Sequence, residues 1–285
     1  MKKENLLNNA QLTFLLRNKI TPTSVDIIPK GVSNFNYLIN NKYVLKCSYD
    51  MNFFSLSKDK VDFQNKFNSQ EDLTVDIIDV DYINGFSLTK YLPSFKMINS
   101  STINYYQIIK IVDTMKKYKA LKDVKLSTFN YNETLNKYRL MLDPKDRLYF
   151  KEIEENNLIN NELEISHLDL VDNNILFDKD NNIKIIDFEM VCLAFKNFDL
   201  ASLLSENNFN ENINKTIIHL YFDNDLNKEN EFISNYSSYC SILDLLWYTW
   251  AKARQINCPY SKKDIYQEIA DIKKERLLYS LSNKN

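Results

Sequence analysis

The segment from Ile165 to Ala201 constrains the fold of this chain more strongly than any other stretch. It contains two short apolar runs, at 175–177 and 183–186, which are separated by five polar residues at 178–182. Aspartate and asparagine are typical of turns, because their side chains bond to nearby backbone. We therefore predict a β-hairpin with an acidic or amide residue at each end of its strands.

The polar residues at the ends of this predicted hairpin have the types and the spacing that phosphoryl transfer requires. His167, Asp169 and Asn174 form an H-x-D-x-x-x-x-N pattern, and Asp187 opens a D-F-E sequence 18 residues after Asp169. A carboxylate can orient an attacking hydroxyl group, and hard oxygen ligands can hold Mg²⁺ against phosphates. We predict Asp169 as the catalytic carboxylate, with Asn174 and Asp187 as metal ligands. The alternative is a polar hairpin whose acids only cap it.

Three sequences in this segment carry a family resemblance: HLDLVDNNIL at 167–176, IIDFE at 185–189 and FDLA at 198–201. They resemble the choline/ethanolamine kinases and their aminoglycoside phosphotransferase relatives. The resemblance implies an α+β, two-lobed protein-kinase-like fold, with a small antiparallel β-sheet lobe and a larger, mainly helical lobe. D-F-E in place of D-F-G, with no A-P-E motif after it, favours this group over the protein kinases.

The resemblance also implies roles for residues beside the catalytic carboxylate. His167 belongs to the catalytic pattern itself. Asp199 matches the acid of the family's F-D-[LI] motif, which braces the catalytic loop through hydrogen bonds. The alternative role for Asp199 is a helix N-cap, and both roles can hold at once. ATP and Mg²⁺ are the implied cofactors.

A small β-sheet lobe is predicted to begin near residue 25. Its first three strands are predicted from the apolar runs at 25–28, 37–39 and 43–47. Between the first two strands, Gly31, Ser33 and Asn34 resemble the G-x-[ST]-N stretch of choline kinases, which implies that they contact ATP. Lys46 matches the lysine of V-A-I-K that neutralises the α- and β-phosphates. The alternatives are an ordinary hairpin turn and a surface lysine on an edge strand.

The segment 81–85 resembles the hinge between the two lobes, where backbone groups of Tyr82 and Ile83 would bind adenine. Around it we predict strands at 75–79 and 80–83 and a short helix at 87–92. The implied domains are an N-terminal nucleotide-binding lobe at 1–84 and a C-terminal lobe at 85–285. The second lobe would contain the catalytic hairpin and the substrate pocket.

A kinase pairs its strand lysine with a glutamate from a small-lobe helix, and this sequence departs from that pattern. A helix is predicted at 57–68, but it contains no glutamate, and the next one along the chain is Glu71. Asp62 and Gln64 are both candidates for the partner of Lys46, and the sequence leaves the choice open.

The period of the apolar residues becomes helical after the predicted hinge. Residues Tyr106, Ile109, Val112 and Met115 lie on roughly one side of a predicted core helix at 103–121. Further helices are predicted at 129–142, at 145–160 after an Asp143-Pro144 start, and from Ser261 onward.

Trp247 and Trp250 are the only tryptophans in the chain. They lie three residues apart on a predicted helix and therefore project from one face. From this spacing alone, packing in the core is the better interpretation. The resemblance instead matches them to the paired tryptophans of choline kinases, which hold a quaternary ammonium by cation–π attraction.

The residues that follow Asp187 provide further implied substrate contacts. Glu189 offers a negative charge to an ammonium group, and Phe195 offers an aromatic ring. Met190 and Leu193 stand where choline kinases often carry tyrosine. The prediction is a kinase that transfers the γ-phosphate of ATP to choline or a similar amino alcohol. The alternatives are another hydroxyl acceptor, such as ethanolamine or an aminoglycoside, and a catalytically inactive nucleotide-binding module.

Composition limits the other classes of function. A formal net charge of −2 disfavours a nucleic-acid partner. No apolar run has the length of a membrane span, and the N-terminal segment lacks the unbroken apolar stretch of a signal peptide. Four cysteines without a C-x-x-C pair indicate reduced thiols. We therefore expect a cytoplasmic enzyme with a small-molecule partner, no nucleic acid and no membrane insertion.

Overall fold

A computed structural model describes residues 6–29, 31–49, 56–142, 144 and 162–282 of the chain. The helix predicted at 145–160 lies outside these residues and stays a prediction. The described residues form a five-stranded antiparallel sheet followed by a mainly helical region that contains the predicted hairpin, at 175–177 and 183–185. The predicted α+β, two-lobed fold class is confirmed.

Eight α-helices have both ends within the described residues: α1 Asn9–Arg17, α2 Lys58–Glu71, α3 Tyr105–Lys119, α4 Tyr131–Arg139, α5 Phe198–Glu206, α6 Glu211–Tyr221, α7 Leu226–Asn257 and α8 Lys263–Ser282. The strands are β1 Val25–Ile28, β2 Asn34–Ile39, β3 Tyr43–Ser48, β4 Ile77–Asp81, β5 Phe86–Lys90, β6 Lys96–Met97, β7 Leu163–Ser166, β8 Ile175–Phe177, β9 Ile183–Ile185 and β10 Cys192–Phe195. The first five strands form one sheet in the order β1-β2-β3-β5-β4. Strand β8 lies between β6 and β9, and β7 pairs with β10.

The small sheet buries one face against α1. Phe14 and Leu15 of α1 belong to one buried cluster with Leu45 of β3 and Leu88 of β5. The rings of Phe14 and Phe86 meet edge to face at 5.8 Å. Removal of this apolar surface from water is the main favourable contribution to the stability of such a layer. The cluster fixes β3, and therefore Lys46, in the sheet.

The short helix predicted at 87–92 is wrong, because residues 86–90 form strand β5, which pairs with both β3 and β4. Its sequence has the strand period of two, which buries Phe86 and Leu88 on the same face. The hinge predicted at 81–85 is also wrong. These residues form the turn between β4 and β5, in which the Asp81 carboxylate accepts a hydrogen bond from Asn84 N–H. The sheet therefore extends beyond the predicted boundary at residue 84, and we propose the division between lobes after Lys90.

Phe188, the central residue of the D-F-E sequence, joins α2 to the helical region. Its ring lies 5.7 Å from that of Phe63 and 5.8 Å from that of Phe67, both on α2. On the other side it lies 5.8 Å from Tyr118 of α3. Edge-to-face packing of buried rings contributes beyond the area that they bury. Phe188 thus anchors its two charged neighbours in sequence to a core shared by both parts of the chain.

Candidate active site

The hairpin of β8 and β9 brings the two predicted metal ligands to one end of its strands. Asn174 immediately precedes β8, and Asp187 follows β9 after a single residue. Ile175 pairs with Ile185, and the N–H of Ile186 donates to Asn174 O at 2.9 Å. Because an antiparallel hairpin sets the start of one strand beside the end of the other, local pairing alone creates this arrangement.

Asn174 also fixes the predicted catalytic carboxylate. Its Nδ2 donates to Asp169 Oδ2 and to Asp169 O, both at 2.9 Å. Both bonds use the amide nitrogen, so the amide oxygen is directed away from Asp169. Burial, followed by the negative charge of Asp187, raises the pKa of Asp169 to about 7, although the bond from Asn174 opposes the rise. A carboxyl group with a pKa near neutrality can both accept and release a proton.

Asp199 braces the loop that leads to Asp169. Its buried carboxylate accepts bonds from the N–H groups of His167 and Leu168 at 2.8 and 3.0 Å, and from Tyr118 Oη at 2.6 Å. Leu168 has a φ of +69°, in the left-handed region that residues other than glycine rarely adopt. Asn197 is the N-cap of α5, so Asp199 does not act as the cap. The carboxylate instead holds a strained backbone segment in place.

His167 lies beneath the same loop. Its Nε2 is 2.9 Å from Ile186 O, and its ring meets that of Phe188 at 4.5 Å. Burial lowers the pKa of His167, so the imidazole is neutral at neutral pH. A neutral ring that donates through Nε2 accepts through Nδ1, which lies 3.3 Å from the Asp169 nitrogen. His167 therefore links Asp169 to Ile186, the residue between β9 and Asp187.

Lys46 lies between the two carboxylates of the D-F-E sequence. Its Nζ is 2.6 Å from Asp187 Oδ1 and 2.7 Å from Glu189 Oε2. Burial disfavours the ammonium form, but the charges of Asp187 and Glu189 outweigh burial and raise the pKa of Lys46. The lysine is therefore cationic and already held at the end of the hairpin.

Helix α2 supplies a cation to this region instead of an acid. The two candidate partners of Lys46 are both wrong, because Asp62 is exposed and Gln64 donates its Nε2 to a backbone carbonyl, that of Val75, at 2.7 Å. Lys60 of the same helix donates to Glu189 O at 2.6 Å. The acids that pair with Lys46 thus come from the D-F-E sequence, not from the helix.

The turn Gly31–Asn34 reaches from Lys46 to the helical region. Gly31 has a φ of +125°, and a β-carbon there would lie 2.5 Å from a neighbouring side-chain nitrogen. With its amide oxygen facing Lys46, Asn34 accepts a bond from Nζ at 3.2 Å and donates to Ser33 O at 3.2 Å. Ser33 O also accepts a bond from Arg254 Nη2 of α7 at 3.1 Å. The structure therefore brings Gly31, Ser33 and Asn34 to the same cleft as Lys46.

The two predicted adenine contacts are separated in the structure. Ile83 lies in the turn between β4 and β5 and is 90% exposed, so it is not brought to Lys46. Tyr82 borders a small cavity whose wall also contains Lys46, Ser87 and Glu189. Ile83 is exposed because residues 81–85 are a turn between two neighbouring strands, at the end of the sheet, and not the predicted hinge.

The paired tryptophans differ in their surroundings. Their rings meet edge to face at 5.7 Å, and Trp250 meets Tyr266 of α8 in the same manner at 5.4 Å. Trp247 and Phe195 are both buried in the large core. Trp250 is partly exposed and lies between that core and the cluster around Tyr266. Trp250 is therefore the member of the pair with surface available to a ligand.

Three residues near the turn were missing from the sequence-based prediction. Arg254 follows Trp250 by four residues, so helical spacing alone would place both on one face of α7. Tyr49 and Tyr266 approach the turn from distant parts of the chain, and both hydroxyl groups bond to Val32 O. No local sequence pattern signals such a meeting.

A second charged cluster lies where α5, α7 and α8 meet. Lys273 Nζ is 2.5 Å from Glu206 Oε2 and 3.3 Å from Asp244 Oδ1. Arg276 Nε lies 3.0 Å from Asp244 Oδ2. The charge of Glu206 contributes to the raised pKa of Asp169, so the cluster is within electrostatic reach of the site. Its acids are paired with cations of α8.

The chemistry of Asn174 and Asp187 fits Mg²⁺. An amide oxygen and a carboxylate are hard ligands, and Mg²⁺ is usually bound by one or two carboxylates together with substrate phosphates and water. Among the residues that the structure describes, no group of three or more His, Cys, Asp and Glu side chains could hold a metal ion. Phosphate oxygens would therefore complete the coordination of a metal at Asn174 and Asp187.

Kinase-like phosphotransferases are the class of proteins in which this fold occurs together with this arrangement of Lys46, Asp169 and Asp187. A sequence model described as choline/ethanolamine kinase matches residues 68–280. The chain belongs to the choline/ethanolamine kinases, a family of small-molecule phosphotransferases.

Solved structures share the fold at low sequence identity. Choline kinase LicA from Streptococcus pneumoniae has a TM-score of 0.75 and 16% identity, over 95% of this chain and 97% of that one. An ethanolamine kinase from Plasmodium vivax has a TM-score of 0.71 and 16% identity, over 99% and 92%. APH(2")-IIa in its gentamicin complex has a TM-score of 0.66 and 16% identity, over 96% and 97%. A comparison with curated protein sequences gives no match. None of the described helices is both long enough and apolar enough to cross a membrane.

Proposed function

We propose that this protein is an ATP- and Mg²⁺-dependent kinase that transfers the γ-phosphate of ATP to the hydroxyl group of choline or a similar amino alcohol. The observation that carries the proposal is the contact between Asn174 and Asp169, with Asp187 just beyond the end of the paired strand β9. Lys46 faces this group at 2.6 Å from Asp187. A base, two oxygen ligands and a cation are the parts that phosphoryl transfer uses.

ATP would bind between the Gly31–Asn34 turn and Lys46, with Lys46 against its phosphates. Asn174 and Asp187 would hold Mg²⁺, which neutralises charge on the phosphate oxygens when it is bound. The fold accepts a nucleotide in a relative, since choline kinase LicA is known in complex with AMP. Of the two predicted adenine contacts, only Tyr82 remains a candidate, because it lines the same cavity as Lys46.

In the reaction, Asp169 orients the acceptor hydroxyl and takes its proton. The hydroxyl oxygen forms a bond to the γ-phosphorus while the bond from that phosphorus to the β–γ bridging oxygen breaks. The products are ADP and the phosphorylated alcohol, and the proton resides on Asp169 until it passes to water. The pKa of about 7 supports this role, because the carboxyl can both take up and release the proton near neutral pH.

The nearby acids are already paired with lysine and arginine side chains, which favours an amino alcohol over an aminoglycoside as the acceptor. Aminoglycosides carry several ammonium groups and need a broad acidic pocket. Glu206 and Asp244 are instead paired with Lys273. Trp250, with Tyr266 beside it, offers aromatic surface to a single quaternary ammonium, an attraction of about 0.5–2 kcal/mol per contact. The predicted contributions of Trp247 and Phe195 are indirect, since both side chains are buried.

The test is ADP release with Mg²⁺ and ATP against choline, ethanolamine, an aminoglycoside and no acceptor, with Asp169→Asn as the inactive control. We expect release that depends on choline and is lost in the control. Release that depends on another acceptor would retain the reaction and reassign the substrate. Release that no acceptor increases, from a folded protein that binds ATP, would favour the inactive nucleotide-binding module.

A further inference from the structure

Three consecutive carbonyl groups of the turn 31–34 accept hydrogen bonds from side chains elsewhere in the chain. Lys262 Nζ donates to Gly31 O. The hydroxyl groups of Tyr49 and Tyr266 lie 3.0 and 3.2 Å from Val32 O and contact each other. Arg254 Nη2 donates to Ser33 O at 3.1 Å. Arg254 lies near the C-terminal end of α7, Tyr266 lies in the first turn of α8, and Lys262 immediately precedes α8.

The direction of these carbonyl groups fixes the direction of the intervening amides. Every peptide bond in the described chain is trans, and a trans peptide unit points its N–H opposite to its C=O. The N–H groups of Val32, Ser33 and Asn34 are therefore directed away from the side chains that hold the carbonyls. Successive backbone N–H groups with a common direction form an anion-binding concavity. The next side chain, that of Asn34, meets Lys46, the cation proposed to face the phosphates.

Arg254 is the centre of this connection. Its side chain is only 2% exposed, and its guanidinium lies 4.7 Å from the centroid of the Tyr49 ring. Nε donates to Tyr266 Oη at 3.2 Å while Nη2 reaches Ser33 O. A buried charge is costly unless it is hydrogen-bonded, and the planar fork of arginine can serve both acceptors at once. These contacts determine the position of the turn relative to α7 and α8.

We propose that Arg254, Tyr49 and Tyr266 are positioning residues that hold the turn 31–34 across the cleft, so that its amide groups are pre-organised for the β- and γ-phosphates of the nucleotide. The inference rests on the proposed function, because it assumes that ATP binds under this turn. It adds a role for α7 and α8, which would contribute to nucleotide affinity although α7 also carries Trp250, the proposed contact for the acceptor.

The test compares the affinity for ATP with that for AMP, which lacks the β- and γ-phosphates, by titration calorimetry with Mg²⁺. Three variants are used: Arg254→Lys, which keeps the charge and loses the fork, and Tyr49→Phe and Tyr266→Phe, which lose one oxygen each. Tyr131→Phe is the matched control, because it removes a hydroxyl group that bonds a backbone carbonyl of α7, that of Ile242, at 3.1 Å. Each variant's melting temperature is recorded beside its affinities.

We expect each of the three variants to bind ATP about tenfold more weakly, the change that corresponds to one lost hydrogen bond, with AMP affinity within about twofold of wild type. Tyr131→Phe should leave the ratio of the two affinities unchanged. If Arg254→Lys does not fold, the two tyrosine variants, which keep their rings, decide the question. An equal loss for ATP and AMP, or no loss, would overturn the positioning role. A wild-type protein that binds neither nucleotide would overturn the proposed function instead.

Discussion

Tyr118→Phe tests whether Asp199 braces the catalytic loop. Tyr118 Oη donates to Asp199 Oδ2 at 2.6 Å, and both side chains are fully buried. The substitution removes one hydroxyl group and leaves the ring, which packs on Phe67 at 6.1 Å and on Phe188 at 5.8 Å. The amides of His167 and Leu168 remain bonded to the carboxylate. The variant therefore weakens the brace without opening the core.

The expected loss of stability follows from the type of bond. A hydrogen bond to a charged group contributes about 1.5–3 kcal/mol. Asp199 Oδ2 keeps the bond from His167 N–H, so no buried acceptor is left without a partner. We therefore expect the free energy of unfolding to fall by about 2 kcal/mol. Because the strained Leu168 backbone is held by the same carboxylate, kcat should also fall, by about tenfold, which is less than the hundredfold loss that a 1 Å misplacement can cause.

The assay pairs urea denaturation with steady-state kinetics, and Tyr221→Phe is the control. Tyr221 Oη accepts a bond from Lys119 Nζ at 2.7 Å, so the control also removes a partly buried, bonded hydroxyl group but leaves the loop at 167–169 untouched. We expect the control to lose stability while kcat is unchanged. The reasoning is refuted if Tyr118→Phe keeps wild-type kcat, or if the two variants lower kcat equally.

Four further substitutions separate the remaining roles. Asp169→Ala should abolish phosphoryl transfer and leave ATP binding by calorimetry nearly intact, whereas retained turnover would remove Asp169 as the catalytic carboxylate. Gly31→Ala forces a side chain into a conformation at φ +125° that costs about 1–3 kcal/mol, so KM for ATP should rise severalfold with little change in KM for the acceptor. Trp250→Ala should raise KM for choline more than KM for ethanolamine, because only choline is a permanent quaternary cation; an equal rise would indicate packing alone. Glu189→Gln should raise KM for ATP more than KM for the acceptor if Glu189 serves Lys46, and the opposite order would support its predicted contact with the ammonium group.

The part of the fold around the candidate site that the sequence predicts correctly depends on a short stretch of chain. The hairpin that joins Asn174 to Asp187 is encoded by two apolar runs and the polar turn at 178–182, and strand pairing does the rest. The sequence does not predict strand β5, because this strand depends on pairing with distant residues. Its five residues become a strand because β3 and β4 lie on either side of them, and β3 is separated from β5 by the whole of α2.

Local sequence patterns do not predict the charged contacts of the site. Lys46 and Asp187 are 141 residues apart in the chain, and Arg254 and Ser33 are 221 apart. The V-L-K context of Lys46 predicts contact with phosphates, but nothing near Lys46 in the sequence predicts Glu189 as its acidic partner. The pattern of protein kinases places this acid on the helix after β3, whereas in this chain it lies in the loop after β9.

The origin of the acid beside Lys46 changes what controls the site. In protein kinases the lysine pairs with a glutamate on a helix, and the position of that helix decides whether the pair forms. Here Glu189 lies in the loop that also carries Asp187, so the partner of Lys46 and the predicted metal ligand are positioned together. If Asp187 binds Mg²⁺ and no longer pairs with Lys46, Glu189 still pairs with the buried ammonium group of Lys46. An unpaired buried charge would be costly. Helix α2 then supports the loop: Lys60 donates a hydrogen bond to Glu189 O, and the aromatic residues of α2 pack against Phe188. The acids that hold Lys46 therefore come from this loop, and neither is supplied by helix α2.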